Sequence, residues 1–160
     1  MSQVVFYIFA APEKSSGSPL SDHFAKACAI AAFFYGENKK VFIYTDTQAD
    51  AFVVDEHLWQ FDGDSFVPHN LLGEGPKFGT PVEISWQVPT HPRPILINLS
   101  HNVPSFAINF QQIIDFVPFS EPLKIAARAR YSTYKKMGLT LSTQTVADIV
   151  TPESTNKAED

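Results

Sequence analysis

Val4–Phe9, with the sequence VVFYIF, is a short run of β-branched and aromatic residues that ends shortly before Pro12. Such a run predicts a buried strand followed by a loop. A second run of this kind, Lys40–Thr45 with the sequence KVFIYT, follows after a spacing of roughly 30 residues, which is enough for a strand, a helix and a second strand. The spacing therefore predicts two parallel strands joined by a right-handed helical crossover, the beginning of an α/β fold.

Two helices are predicted around the second of these strands. Ser21 or Asp22 can cap the first helix, and Gly36 is placed to end it. The second helix is predicted to start at Thr45-Asp46 and to run to about Trp59. Its apolar residues recur at helical spacing, at Ala51, Val54 and Leu58.

The remainder of the chain continues the alternation of strands and helices. The region from Phe66 to Pro92 is rich in Pro and Gly, which predicts ordered loop with one short strand at Val82–Trp86. Two further strands and a last helix are predicted at Pro94–Leu99, Gln112–Val117 and Ser120–Gly138. The sum is a single α/β domain, a three-layer α/β/α sandwich with a Rossmann-like, mostly parallel sheet.

Composition restricts the kind of partner and the kind of site. The 160 residues include 12 Lys and Arg against 17 Asp and Glu, a formal net charge of −5 that disfavours broad attraction to a phosphate backbone. Cys28 is the only cysteine, which excludes an internal disulfide and a zinc site made of cysteines. The five histidines are scattered, so no metal site is predicted. Neither a signal peptide nor a membrane span is indicated, and a cytoplasmic protein is expected.

The last predicted helix carries a stripe of polar side chains. Its members are spaced by four, three and four residues, which places them on one side of the helix: Lys124, Arg128, Tyr131 and Lys135. A solvated helix face accounts for this pattern, because cations near a helix C-terminus complement the macrodipole. A docking groove is the alternative, in which Val117 and Pro118 receive the apolar end of an acidic peptide.

Five segments together resemble the chi subunit family of the bacterial DNA polymerase III holoenzyme. They are Asp55–Trp59 (DEHLW), Ser65–Leu71 (SFVPHNL), Gly73–Pro76 (GEGP), Asp115–Pro118 (DFVP) and Ala127–Tyr131 (ARARY). The resemblance is strong from Asp55 to Leu141 and weaker before it. It implies a chi-like α/β domain at residues 1–141, and residues 142–160 are expected to form a mobile C-terminal tail.

The resemblance also implies a function, that of a non-catalytic accessory subunit of the clamp-loader assembly in DNA replication. Such a protein uses no cofactor and reaches DNA indirectly, through the acidic, Phe-terminated tail of single-stranded DNA-binding protein (SSB). In family members this tail is held at the positions of Val117, Arg128 and Tyr131. Ser132 stands where the family has a lysine, and Lys124, Lys135 or Lys136 is expected to supply the missing charge.

Trp59 and Phe66 match family positions that face a second partner, the psi subunit of the clamp loader or a helicase-type alternative. Residue type alone favours a role in the core for both. Aromatic side chains are also enriched at binding hot spots, and the resemblance therefore favours an interface.

A nucleotide- or cofactor-dependent enzyme on a Rossmann-like scaffold is the alternative from another functional class. Gly73, Gly75 and Gly79 invite this hypothesis, but their G-x-G-x-x-x-G spacing differs from the dinucleotide fingerprint and Pro76 interrupts it. Direct binding of single-stranded DNA is a third hypothesis, which the acidic net charge disfavours.

Overall fold

The structure, a computed structural model, describes residues 2–10, 22–59, 68–71 and 80–146. Within them seven strands and three α-helices follow one another along the chain. The strands are β1 (Gln3–Ile8), β2 (Val41–Tyr44), β3 (His69–Leu71), β4 (Val82–Ser85), β5 (Ile95–Asn98), β6 (Gln112–Val117) and β7 (Thr140–Thr145). The helices are α1 (Asp22–Gly36), α2 (Gln48–Trp59) and α3 (Glu121–Lys136), and a 3₁₀ helix at Ser105–Asn109 precedes β6.

All seven strands form one parallel sheet in the order β3-β4-β2-β5-β6-β1-β7. The predicted α/β fold is therefore confirmed. β1 and β2 are parallel, as expected, but they are not neighbours, because β5 and β6 lie between them. β1 pairs instead with β6 and β7, so that Phe6 lies beside Asp115 on one side and Thr143 on the other.

Helices cover both faces of the sheet, and each face has its own core. On one face α1 and α2 pack through small and branched residues, including Ala27, Ala31, Val54 and Leu58, against alternate residues of the strands. On the other face α3, the 3₁₀ helix and the residue that follows it pack through Tyr134, Ala107 and Phe110 against Val4, Phe6, Phe42 and Leu96. Successive side chains of a strand point to opposite faces of the sheet. The neighbours Ile113 and Ile114 therefore belong to different cores. This arrangement is the predicted three-layer sandwich.

Three features differ from the sequence predictions by more than a shift of one or two residues at the end of an element. The predicted loop after Phe66 contains a second strand, β3, which pairs with β4 from His69 to Leu71. α2 begins at Gln48 rather than Thr45, because the Thr47 hydroxyl accepts a hydrogen bond of 3.1 Å from the Asp50 N–H and so caps the helix. β7 pairs with β1 through Thr145 and crosses the predicted division between residues 141 and 142.

Residues 147–160, the larger part of the expected mobile tail, lie outside the described residues. The glycines at positions 73, 75 and 79 also lie outside them. Within the described segments, the helices are too short or too polar to cross a bilayer.

Candidate functional site

α3 presents a buried side and an exposed side, as its residue spacing requires. Ala126, Ala127, Arg130 and Tyr134 are buried against the sheet. Arg128, Tyr131 and Lys135 are exposed on the other side, with Lys124 half-buried one turn before Arg128. Ser132 is exposed beside Tyr131. The four residues singled out in the sequence therefore share one helix, and three of them face solvent.

Tyr131 is the member of this stripe that also contacts the core. Its ring lies 5.5 Å from the ring of Phe6 on β1, and 38% of the Tyr131 surface remains exposed. Val117, the last residue of β6, is half-buried and packs against the same cluster that contains Phe6. Val117 and Tyr131 therefore both pack at the edge of the core cluster that contains Phe6, and Tyr131 shares its side of α3 with the cations.

The first turns of α3 add a further apolar component. Lys124 Nζ lies 5.2 Å from the centre of the Phe119 ring and 3.9 Å from Glu121 Oε1. Phe119, Leu123 and Ile125 are all exposed. Lys124 is thus held locally by an aromatic face and a carboxylate, whereas Arg128 and Lys135 extend into solvent.

A buried ion pair joins α3 to the sheet immediately beneath this stripe. Arg130 Nε lies 3.1 Å from both carboxylate oxygens of Asp115, which is fully buried at the centre of β6. Arg130 Nη2 donates to the Phe116 carbonyl at 3.0 Å, and Nη1 donates to the His101 carbonyl at 3.1 Å. Arg130 thereby fixes α3 against the end of β6, one residue from Val117.

The two carboxylate oxygens of Asp115 accept three further hydrogen bonds. Tyr134 donates its hydroxyl proton to Asp115 Oδ2 at 2.8 Å, Asn98 Nδ2 donates at 3.2 Å, and the Phe116 N–H donates to Oδ1 at 2.6 Å. Burial raises the pKa of the Asp115 carboxyl, and the charge of Arg130 opposes that shift together with the hydrogen bonds from Arg130, Tyr134 and the Phe116 N–H. Burial raises the pKa of Tyr134 well above its usual value, and the nearby carboxylate adds to the effect.

This ion pair was not predicted from the sequence, although two features of the sequence indicate it. Asp115 interrupts the apolar run of β6, and a buried carboxylate requires a partner. Arg130 falls at the same helical spacing as the buried Ala126, Ala127 and Tyr134. Together the two positions predict a buried pair between a strand and the helix that covers it.

Trp59 lies at the end of α2 on the opposite face of the sheet from α3, and 58% of its surface is exposed. Its ring lies 4.8 Å from the ring of His69 on β3, at an angle of 61°. His69 Nε2 in turn lies 3.3 Å from Asp55 Oδ1, one helical turn before Trp59. His69 therefore belongs to strand β3 and contacts Asp55 and Trp59 of α2, whereas the sequence predicted a loop at this position. Phe66, the second predicted partner contact, lies outside the described residues.

A cavity of about 180 Å³ opens at the carboxyl ends of β2, β5 and β6. Its polar lining includes Asp46, Asp50, His23 and Ser100. The His101 N–H donates to both Asp46 carboxylate oxygens, at 3.0 and 2.9 Å. This edge of a parallel sheet is where α/β enzymes bind ligands, but typical ligand pockets measure about 300–1,000 Å³. The size of the cavity therefore gives little support to the enzymatic alternative.

Comparison with solved structures relates this architecture to other α/β proteins. The C-terminal domain of Dbp5 from S. cerevisiae superposes with a TM-score of 0.53 at 12% sequence identity, covering 98% of this chain and 99% of that domain. At this identity the similarity concerns the fold alone.

Comparison of sequences gives a specific relationship. The family model described as DNA polymerase III chi subunit, HolC, matches residues 1–142. The DNA polymerase III subunit chi of Haemophilus influenzae is 46% identical over 122 residues, which cover 75% of this chain and 85% of that protein. The subunit chi of Escherichia coli is 43% identical over 120 residues, covering 74% of this chain and 82% of that protein. The resemblance seen in the sequence is confirmed, and the chain belongs to the DNA polymerase III chi subunit family.

Proposed function

We propose that this chain is an adaptor that bridges the clamp loader to SSB on the lagging-strand template. One of its surfaces, made of Val117, Lys124, Arg128, Tyr131 and Lys135, holds the acidic C-terminal tail of SSB. A second surface, with Trp59 and Phe66, binds psi or a helicase-type alternative. In this proposal the protein catalyses no reaction itself and acts in the cytoplasm as a subunit of the polymerase complex.

The exposed side of α3 is the observation that carries the tail-binding half of this proposal. Arg128 and Lys135 offer two solvent-facing cations on an acidic protein, and Tyr131 and Val117 border them with apolar surface. An acidic peptide that ends in an aromatic residue has the matching chemistry, because its carboxylates pair with the cations and its ring packs beside Tyr131.

The buried Arg130 supports the same half of the proposal. Its hydrogen bond to the Phe116 carbonyl and its pair with Asp115 hold the stripe and Val117 in a fixed relation before any peptide arrives. A surface held in this way loses less conformational freedom on binding than a loop would.

Titration of the full chain with a fluorescent SSB tail peptide tests tail capture directly. Saturable binding that weakens with salt and requires the terminal Phe is expected. Arg128→Ala should weaken this binding about tenfold or more, because it removes a charge-assisted contact. Lys39→Ala is the matched control, since it removes an exposed positive charge outside α3. Tail capture at α3 would be refuted if both variants weakened peptide binding equally, or if a peptide without the terminal Phe bound with the same affinity.

A further inference from the structure

Residues 147–160, with the sequence ADIVTPESTNKAED, follow β7 and lie outside the match to the chi family, which ends at residue 142. They contain four acidic residues against one basic residue, a formal net charge of −3. A short apolar pair, Ile149–Val150, lies between Asp148 and Glu153. This acidic segment therefore combines carboxylates with an apolar group, which is the chemistry that the surface on α3 is proposed to bind.

α3 is the positive surface of the molecule. It carries five of the 12 Lys and Arg residues of the chain and a single acidic residue, Glu121. Four of the five cations are exposed or half-buried, and the fifth, Arg130, is buried in its pair with Asp115. The chain as a whole has a formal net charge of −5, so α3 is a local positive surface on an acidic protein. A nearby acidic segment is attracted to it over about 10 Å at 0.1 M salt.

β7 brings the acidic segment to the edge of this surface. Ile8 pairs with Val117 on one side and with Thr145 on the other, so Val117 and Thr145 lie two strand spacings apart, or about 10 Å. Ile149 follows Thr145 by four residues, which span up to about 13 Å. The 14 residues of the segment extend up to about 46 Å, and the 16 residues of α3 measure about 24 Å. The apolar pair can therefore reach Val117 while the later carboxylates reach the cations.

The tether allows a weak contact to matter. Exposed ion pairs contribute little individually, so the detached segment should bind α3 only in about the millimolar range. A short flexible connection holds the segment at an effective concentration that is also about millimolar. The segment then covers the surface about half of the time, which lowers the apparent affinity for any other ligand of that surface about twofold or more.

We propose that the acidic segment at residues 147–160 folds back on α3 and competes with the SSB tail for the stripe of Lys124, Arg128, Tyr131 and Lys135. This inference rests on the proposed function, because it concerns the regulation of the same surface. An SSB tail must displace the segment before it binds, so acidic ligands that bind α3 more weakly than the segment are excluded.

Paramagnetic relaxation in the full chain tests the contact in the absence of SSB. Ala158→Cys supplies a site for a nitroxide label, because Cys28 is the only native cysteine and is buried. Burial raises the pKa of the Cys28 thiol to about 12, which keeps it unreactive. The label should broaden the amide signals of α3 and leave those of α2, on the opposite face of the sheet, unchanged. Broadening that is equal on α2 and α3, or absent from α3, would overturn the inference.

Titration with the fluorescent SSB tail peptide tests the competition. The double variant Glu153→Gln/Glu159→Gln should bind the peptide about twofold or more tighter than wild type at low salt, and high salt should remove the difference. Glu37→Gln/Glu56→Gln is the matched control, because it removes the same charge at exposed positions outside α3. Equal tightening by both double variants would assign the effect to net charge and would overturn the inference.

The two measurements separate this inference from the proposed function. If wild type and Glu153→Gln/Glu159→Gln bind the SSB peptide equally and the label leaves α3 unaffected, competition by the segment is refuted and capture of the SSB tail stands. If neither protein binds the peptide, the proposed function fails, and the competition fails with it whatever the label reports.

Discussion

At the scale of single residues, the pair of Arg130 and Asp115 is expected to be the most sensitive point of the α3 face. Arg130→Ala would leave the Asp115 carboxylate buried without its cation, which typically costs about 3–5 kcal/mol in the free energy of unfolding. Urea denaturation measures this loss. Arg128→Ala is the matched control, because Arg128 is exposed two residues away and its removal should change stability by less than about 0.5 kcal/mol. Similar losses in both variants would contradict a structural role specific to Arg130.

Ser132 offers a test by gain of function. It is exposed on α3 next to Tyr131, where the chi family resemblance implies a lysine. Ser132→Lys should tighten binding of the SSB tail peptide by about 0.5–1 kcal/mol, or roughly two- to fivefold, because it adds a cation beside the acidic peptide. Ser105→Lys adds the same charge at the start of the 3₁₀ helix and should have a smaller effect. Equal tightening by both would assign the gain to net charge, and no tightening would place the tail away from Ser132.

At the scale of elements, the sequence predicted the five inner strands and all three helices, and it missed the two strands at the edges of the sheet. β1 and β2 are apolar runs that are recognised on their own. β3 has three residues next to Pro68, and β7 has the polar sequence TLSTQT with mostly exposed side chains. Such strands are defined by pairing with a neighbour, which sequence periodicity does not reveal. The order of the strands in the sheet could not be predicted from the sequence for the same reason.

β7 supplies a test of where the folded domain ends. Truncation after Leu141 removes the pairs from Val5–Ser142 to Ile8–Thr145 on β1. At about 1 kcal/mol for each ladder hydrogen bond, this should lower the free energy of unfolding by about 2–4 kcal/mol. Truncation after Val146 keeps β7 whole and is the matched control, for which we expect little change. Thermal or urea unfolding compares the two, and equal stabilities would show that β7 does not contribute to the fold.

At the scale of the whole molecule, the sheet separates the two proposed surfaces. α2 packs on one face and α3 on the other, so Trp59 and the stripe around Arg128 belong to different layers. The sequence assigned the two groups of residues to different elements but could not give their relation in space. In the proposed function, the sheet between the two surfaces would let both partners bind at once and would raise the local concentration of one for the other.

This geometry predicts that the two binding events are independent. Saturation with psi should change the affinity for the SSB tail peptide by less than about twofold, because no described side chain belongs to both surfaces. Arg128→Ala should weaken only tail binding and Trp59→Ala only psi binding, with additive effects in the double variant. Titrations of each partner in the presence and absence of the other measure this directly. Competition between psi and the tail peptide would mean that the surfaces overlap, and loss of both interactions in either single variant would contradict a bivalent adaptor.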